Sequence, residues 1–187
     1  ALPAWLVHSE ARELLALSPG YVLQVHSLHL PRHGGSYSLL DEAEARSAVA
    51  RAVSMGVPFR VALPTYSCVV VFDEKGDVKD VHGEDLPAGL SLAEQNFAVL
   101  DADAYAMAAL LEEWRKHGSE LLRSVIWYRL PVATDRLNWP VETFEQVVRG
   151  DSLKRGWEVR LESRTGGLHK VVLHQRGDAP DDLPKVI

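Results

Sequence analysis

Two strand-like runs with one well-patterned helix between them organise the first third of this sequence. Tyr21-Val22-Leu23-Gln24-Val25-His26-Ser27 is rich in β-forming residues. Its apolar side chains fall on both faces, the pattern of a parallel strand covered on two sides. In residues 41–55, Ala45, Ala48, Val49, Ala52 and Val53 lie on one face of a 3.6-residue period. Asp41 is placed to cap the helix start and Gly56 its end. Most of that face is alanine, so the helix can approach its sheet closely. Phe59-Arg60-Val61-Ala62-Leu63-Pro64 then reads as a second strand. Strand, helix and strand in this order form a βαβ unit, with parallel strands and a right-handed crossover.

The remainder extends this pattern and then leaves it. Residues 9–16 read as a short helix, capped by Ser9 and stopped by Ser18-Pro19-Gly20. Val69 to Val81 reads as a hairpin inserted after the second strand, turning at Asp73-Glu74-Lys75-Gly76-Asp77. Residues 83–96 read as a polar loop. Helix 103–117 carries Met107, Leu110, Leu111 and Trp114 on one stripe, and 124–130 is a third strand. Pro140 suits the first position of a short helix that Gly150 stops. From Trp157 the chain alternates, turns at Thr165-Gly166-Gly167 and returns through His174, an antiparallel hairpin with one wet face. Three parallel strands with helices make an α/β layer. Three are few, since a closed barrel needs eight strands and an open sheet usually has about four to six.

Charge narrows the function classes. The 20 Lys and Arg against 26 Asp and Glu leave a net charge of −6. Such a chain lacks the clustered cations that neutralise phosphates, which argues against nucleic acid and anionic membrane. No apolar run approaches the roughly 20 residues of a membrane-spanning helix. The single cysteine, Cys68, excludes an internal disulfide and a Cys-rich zinc site. The opening Ala1-Leu2-Pro3-Ala4-Trp5 has neither Met nor a signal-peptide pattern, so a processed chain or a fragment is expected.

In parallel α/β folds the site lies at the C-terminal ends of the strands. That rule selects three stretches: Gln24, His26, His29, Arg32 and His33; Thr65, Tyr66, Ser67 and Cys68; Trp127, Arg129, Asp135, Arg136, Asn138 and Trp139. Aromatic rings beside Arg, Asn and His suit a polyhydroxylated ligand, because sugar rings stack on aromatic faces and hydroxyls take polar partners. The competing reading is that these are loop-end residues satisfied by backbone. Gln24 and His26 share one strand face, and a histidine there can serve as general acid or base near neutral pH. Asp135 is the one carboxylate in these stretches, so a glycosidase-type pair is incomplete. His26-x-x-His29-x-x-x-His33 invites a zinc reading. On a strand, though, His26 and His29 point to opposite faces, and no carboxylate lies between Gln24 and His33. Neither metal nor cofactor is expected; a histidine-centred metal hydrolase is the third reading. Cys68, followed by Val69-Val70-Val71 and without a basic neighbour, reads as a small buried residue.

Leu2-Pro3-Ala4-Trp5-Leu6, Val22-Leu23-Gln24-Val25-His26 and Ile126-Trp127-Tyr128-Arg129-Leu130-Pro131-Val132, with Asp135 and Asn138-Trp139, resemble an uncharacterised bacterial family. Its members look like glycoside-hydrolase-type β/α barrels of unknown function, and the resemblance covers the later half of that domain. It implies part of a β/α (TIM-like) barrel over residues 1–150, with parallel strands near 21–27, 58–64 and 124–130. Residues 151–187 would be a C-terminal hairpin and loose tail. It further implies carbohydrate binding or processing, with Trp127 as sugar platform, Arg129 as orienting cation, and Gln24, Tyr66 and Trp139 as further binding residues. Asp135 and His26 are the catalytic candidates. The family's acidic strand-end motif lies upstream of Leu2, so this chain alone is expected to be inactive and to associate with an upstream segment or with itself. A periplasmic or extracytoplasmic location is favoured over a cytoplasmic one. The alternative class is a non-catalytic binding or interaction module.

Overall fold

In the computed structural model, which describes residues 2–3, 11–26, 38–83, 96–132, 134–163 and 169–179, thirteen elements follow one another. They are β1 (Leu2–Pro3), α1 (Ala11–Ala16), β2 (Tyr21–Gln24), α2 (Glu42–Ser54), β3 (Phe59–Pro64), β4 (Cys68–Phe72), β5 (Val78–His82), β6 (Asn96–Leu100), α3 (Ala104–His117), β7 (Leu122–Tyr128), α4 (Val141–Arg149), β8 (Trp157–Ser163) and β9 (His169–Gln175). Ser9, His29, Arg32, His33 and the Thr165-Gly166-Gly167 turn, all singled out in the sequence, lie outside the described residues.

Local chemistry sets the helix ends. The Asp41 carboxylate accepts from the Glu44 amide at 2.9 Å and starts α2; Gly56, at φ +75°, follows its end. The Asp103 carboxylate caps α3 by accepting from the Tyr105 and Ala106 amides. Pro140 occupies the cap position of α4, one residue earlier than the sequence suggested, and Gly150 ends that helix at φ +80°. Arg46 of α2 bonds Glu42 within its helix and Glu113 of α3, so two helices are tied by one guanidinium.

Four parallel strands form one sheet in the order β1-β2-β3-β7. The register places Leu23 beside Val61 and Val61 beside Val125, so Tyr21, Leu23, Phe59, Val61, Leu63, Val125 and Trp127 share a face. Ala45, Ala48, Val49 and Ala52 of α2 and Met107, Leu110 and Leu111 of α3 join that face in one core. Each fully buried residue such as Met107 or Leu110 contributes roughly 1.5–3 kcal/mol. The opposite face carries Val22, Gln24, Arg60, Ala62, Ser124, Ile126 and Tyr128, a more polar set. Past the end of β2, Val25 still belongs to the core, and His26 takes the next position in the alternation.

The TIM-like barrel expected from the resemblance is corrected here. The parallel sheet is open, with β1 and β7 at its edges, and two small antiparallel sheets, β5-β4-β6 and β8-β9, stand apart from it. No closed barrel forms among the described residues. The physical reason is the chain's course after β3. β4 leaves the parallel ladder and pairs antiparallel with β5 and β6, whereas a barrel keeps eight strands in one parallel ladder. The expected 69–81 hairpin is present as β4 and β5, and the expected C-terminal hairpin as β8 and β9. The third strand of the middle sheet, β6, begins at the end of the stretch read as loop. Among the described residues, no helix is long and apolar enough to cross a membrane.

Candidate functional site

The C-terminal ends of β3 and β7 are tied to each other before any side chain is considered. The Thr65 amide donates to the Tyr128 carbonyl at 2.9 Å, and the Thr65 hydroxyl donates to the Arg129 carbonyl. The Trp139 amide donates to the Thr65 carbonyl at 2.9 Å, and the Ser67 amide to the Leu137 carbonyl at 2.8 Å. Tyr66 and Asn138 form an isolated antiparallel bridge between these bonds. The Tyr128–Arg129 peptide is cis. Together these contacts fold the segment after β7 back across the end of β3, and they hold Tyr66 next to Tyr128.

Three rings meet there. His26 stacks on Tyr128, with centroids 5.7 Å apart and an interplanar angle of 25°. Tyr66 stands edge-on to both, 6.3 Å from His26 and 5.8 Å from Tyr128. His26 is only 4% exposed, and burial lowers its pKa to about 4, so at neutral pH it is an uncharged imidazole. Tyr128 is 54% exposed, so one face of its ring rests on His26 and the rest of the ring meets solvent. Gln24 half-covers the neighbouring position, its amide donating to the His26 carbonyl at 3.2 Å.

A polar clamp borders the rings. Arg129 reaches Asp135 at 3.2 Å, donates to the Gly83 carbonyl, and lies 6.0 Å over the Tyr66 ring. Asp135 also accepts from the Leu137 amide at 3.2 Å and from the Asn138 amide group at 3.3 Å. Its side chain is almost wholly buried. A carboxylate holding three donors in this way is a fixed anchor for the loop.

His26, Tyr66, Arg129, Asp135 and Gln24, all selected from the sequence, thus come together. Trp127 and Trp139 do not join them. Trp127 lies on the helix-covered face, edge-on to Trp139 at 6.0 Å and to Phe144 at 5.4 Å. Trp139 is buried, its indole N–H donating to the Ala102 carbonyl at 2.6 Å. Sequence reasoning passed over Tyr128, although the strand period of two places it opposite in facing to Trp127. Cys68 is buried, and burial raises its thiol pKa. Among the described residues, no group of three or more His, Cys, Asp or Glu is arranged to hold a metal ion. Hollows of about 340, 310 and 480 Å³ are lined by residues outside the ring cluster.

A family model described as a domain of unknown function, DUF3142, matches residues 1–133. The match takes in His26, Tyr66, Tyr128 and Arg129 and stops two residues before Asp135. No curated protein and no solved structure matches the chain.

Proposed function

We propose that this chain, which belongs to the DUF3142 family, binds carbohydrate at the C-terminal ends of its parallel strands. The observation that carries the reading is the half-exposed Tyr128 ring, backed by His26 and flanked by Tyr66. A sugar presents C–H groups on its ring faces and hydroxyls at its edges. It therefore asks for one open aromatic face with polar groups beside it. Arg129 and Asn138 supply donors next to the rings, and Asp135 fixes both.

Binding is favoured over cleavage. Hydrolysis of a glycosidic bond uses two carboxyl groups about 5–10 Å apart. Among the described residues, Asp135 is the carboxylate seen bonded within this cluster, and three donors already hold it. A neutral histidine with a pKa near 4 is a weak base for the second role. Asp135 and His26 therefore act as positioning groups, the first for Arg129 and the second as the bed of Tyr128.

Calorimetric titration against a panel of oligosaccharides tests this, with a reducing-end assay run on the same mixtures. Tyr128→Ala should weaken binding at least about tenfold, equivalent to ~1.4 kcal/mol, while Tyr128→Phe retains it. No reducing ends should accumulate. Failure of every oligosaccharide to bind, or wild-type affinity in a folded Tyr128→Ala variant, refutes the proposal.

A further inference from the structure

A hollow of about 340 Å³ opens at the opposite end of the parallel sheet from Tyr128, where β2, β3 and β7 begin. Its walls include Pro19, Pro58, Phe59 and Tyr21, and its charged groups are Arg60 and Arg123. Among the described residues, no carboxylate lines it.

The two arginines are brought there by a break in register. Phe59 pairs with Leu122 and Arg60 with Ser124, so Arg123 is the extra residue of a β-bulge directly beside Arg60. A bulge re-aims a side chain out of regular alternation. Arg60 and Arg123 have no ion-pair or hydrogen-bond partner among the described residues. Two like charges at one hollow repel, and an anion between them reverses the sign of that interaction. The net charge of −6 means that this is a local positive feature on an acidic chain.

We infer that this hollow is a binding site for a carboxylate carried on a flat apolar body, an aromatic or alicyclic acid. The guanidinium forks of Arg60 and Arg123 match the two oxygens of a carboxylate. The rings of Pro19 and Pro58 cover the apolar body, and proline rings lose little entropy in doing so. The site is separate from the ring cluster and does not depend on the carbohydrate reading.

Amide NMR titrations of the full 187-residue chain test the inference, with benzoate, benzamide and acetate as probes. Benzoate should produce saturable shifts at Gly20, Tyr21, Val22, Arg60 and Arg123. Benzamide, with the body but no charge, and acetate, with the charge but no body, should each bind at least about tenfold more weakly. Arg60→Gln and Arg123→Gln should each weaken benzoate by about fivefold or more. Both side chains are exposed, so the urea midpoint should not move. Tyr128→Ala should leave benzoate binding unchanged. Shifts centred elsewhere, equal affinity for the three probes, or wild-type affinity in both arginine variants overturns the assignment.

Discussion

Acidification should destabilise this chain through His26, in a pH window set by two pKa values. In the folded chain, burial lowers the imidazole pKa to about 4. In the unfolded chain an exposed histidine titrates near 6.5. The fold therefore favours the neutral ring. As pH falls through 6.5 the unfolded chain takes up a proton that the folded chain refuses until about 4. Over that interval the unfolded state binds more protons, so stability drops as pH drops. The contribution is fully present above 6.5 and lost below 4. At ~1.36 kcal/mol per pH unit, the whole gap corresponds to ~3 kcal/mol. Ordinary carboxylates begin to titrate below pH 5, so the clean comparison lies between pH 7 and 5. There His26 should account for ~2 kcal/mol. Urea unfolding of wild type and His26→Gln at several pH values reads it directly, since glutamine keeps hydrogen-bonding capacity without titrating. Wild type should lose ~2 kcal/mol more than the variant from pH 7 to 5, and the His26 ring proton resonances should titrate near 4. Parallel pH profiles for the two proteins, or a ring titration between 6 and 7, refutes the burial argument.

Gly56 and Gly83 both have open space where a Cβ would go, but only Gly56 has positive φ. Gly56→Val should cost ~1–2 kcal/mol and lower Tm by about 2–8 °C, against little change for Gly83→Val; equal shifts by calorimetry contradict the cap assignment. Asp135→Asn removes the charge that holds Arg129, Asn138 and the Leu137 amide together. It should cost ~1–3 kcal/mol in urea unfolding and weaken oligosaccharide binding, whereas unchanged values for both would show that the clamp is idle. Trp127→Phe should lower stability by ~1–3 kcal/mol while leaving oligosaccharide affinity intact, since Trp127 packs under α4; calorimetric titration showing lost affinity would return it to the site.

The elements legible in the sequence were those whose signals agree at every level. For α2, the Asp41 cap, the alanine stripe and Gly56 all specify the same thirteen-residue helix. β6 and β1 lacked such agreement. Asn96-Phe97-Ala98-Val99-Leu100 has no strong alternation and no turn signature before it. It is a strand because β4, buried at each of its five positions, has a second edge to pair. β1 is two residues long and exists only through pairing with β2. Both depend on contacts between residues far apart in the chain, which periodicity does not report. The same limit produced the barrel expectation. Parallel strands can be recognised one by one, but whether the next strand joins their ladder or turns antiparallel is decided by pairing partners outside the local pattern.

The site was half legible for a related reason. Choosing the C-terminal ends of the strands selected Gln24, His26, Tyr66, Arg129 and Asp135 together, because topology alone places them. Choosing Trp127 as the platform depended on facing, and there the strand period cuts between neighbours. In β7, Val125 and Trp127 alternate with Ser124, Ile126 and Tyr128. The second row is the more polar, and on β2 the more polar row is the one that holds Gln24 and leads to His26. A sheet with helices on one face must put its apolar row under them, so the polar rows of adjacent parallel strands belong to the other face. Matching polar row to polar row across β2, β3 and β7 brings Gln24 beside Ala62 and Ile126, in the observed register, and sets Tyr128 one step further along beside Pro64. The larger ring therefore faces the helices on physical grounds. A tryptophan in the apolar row is bound for the core, and the tyrosine next to it is the ring left facing the solvent.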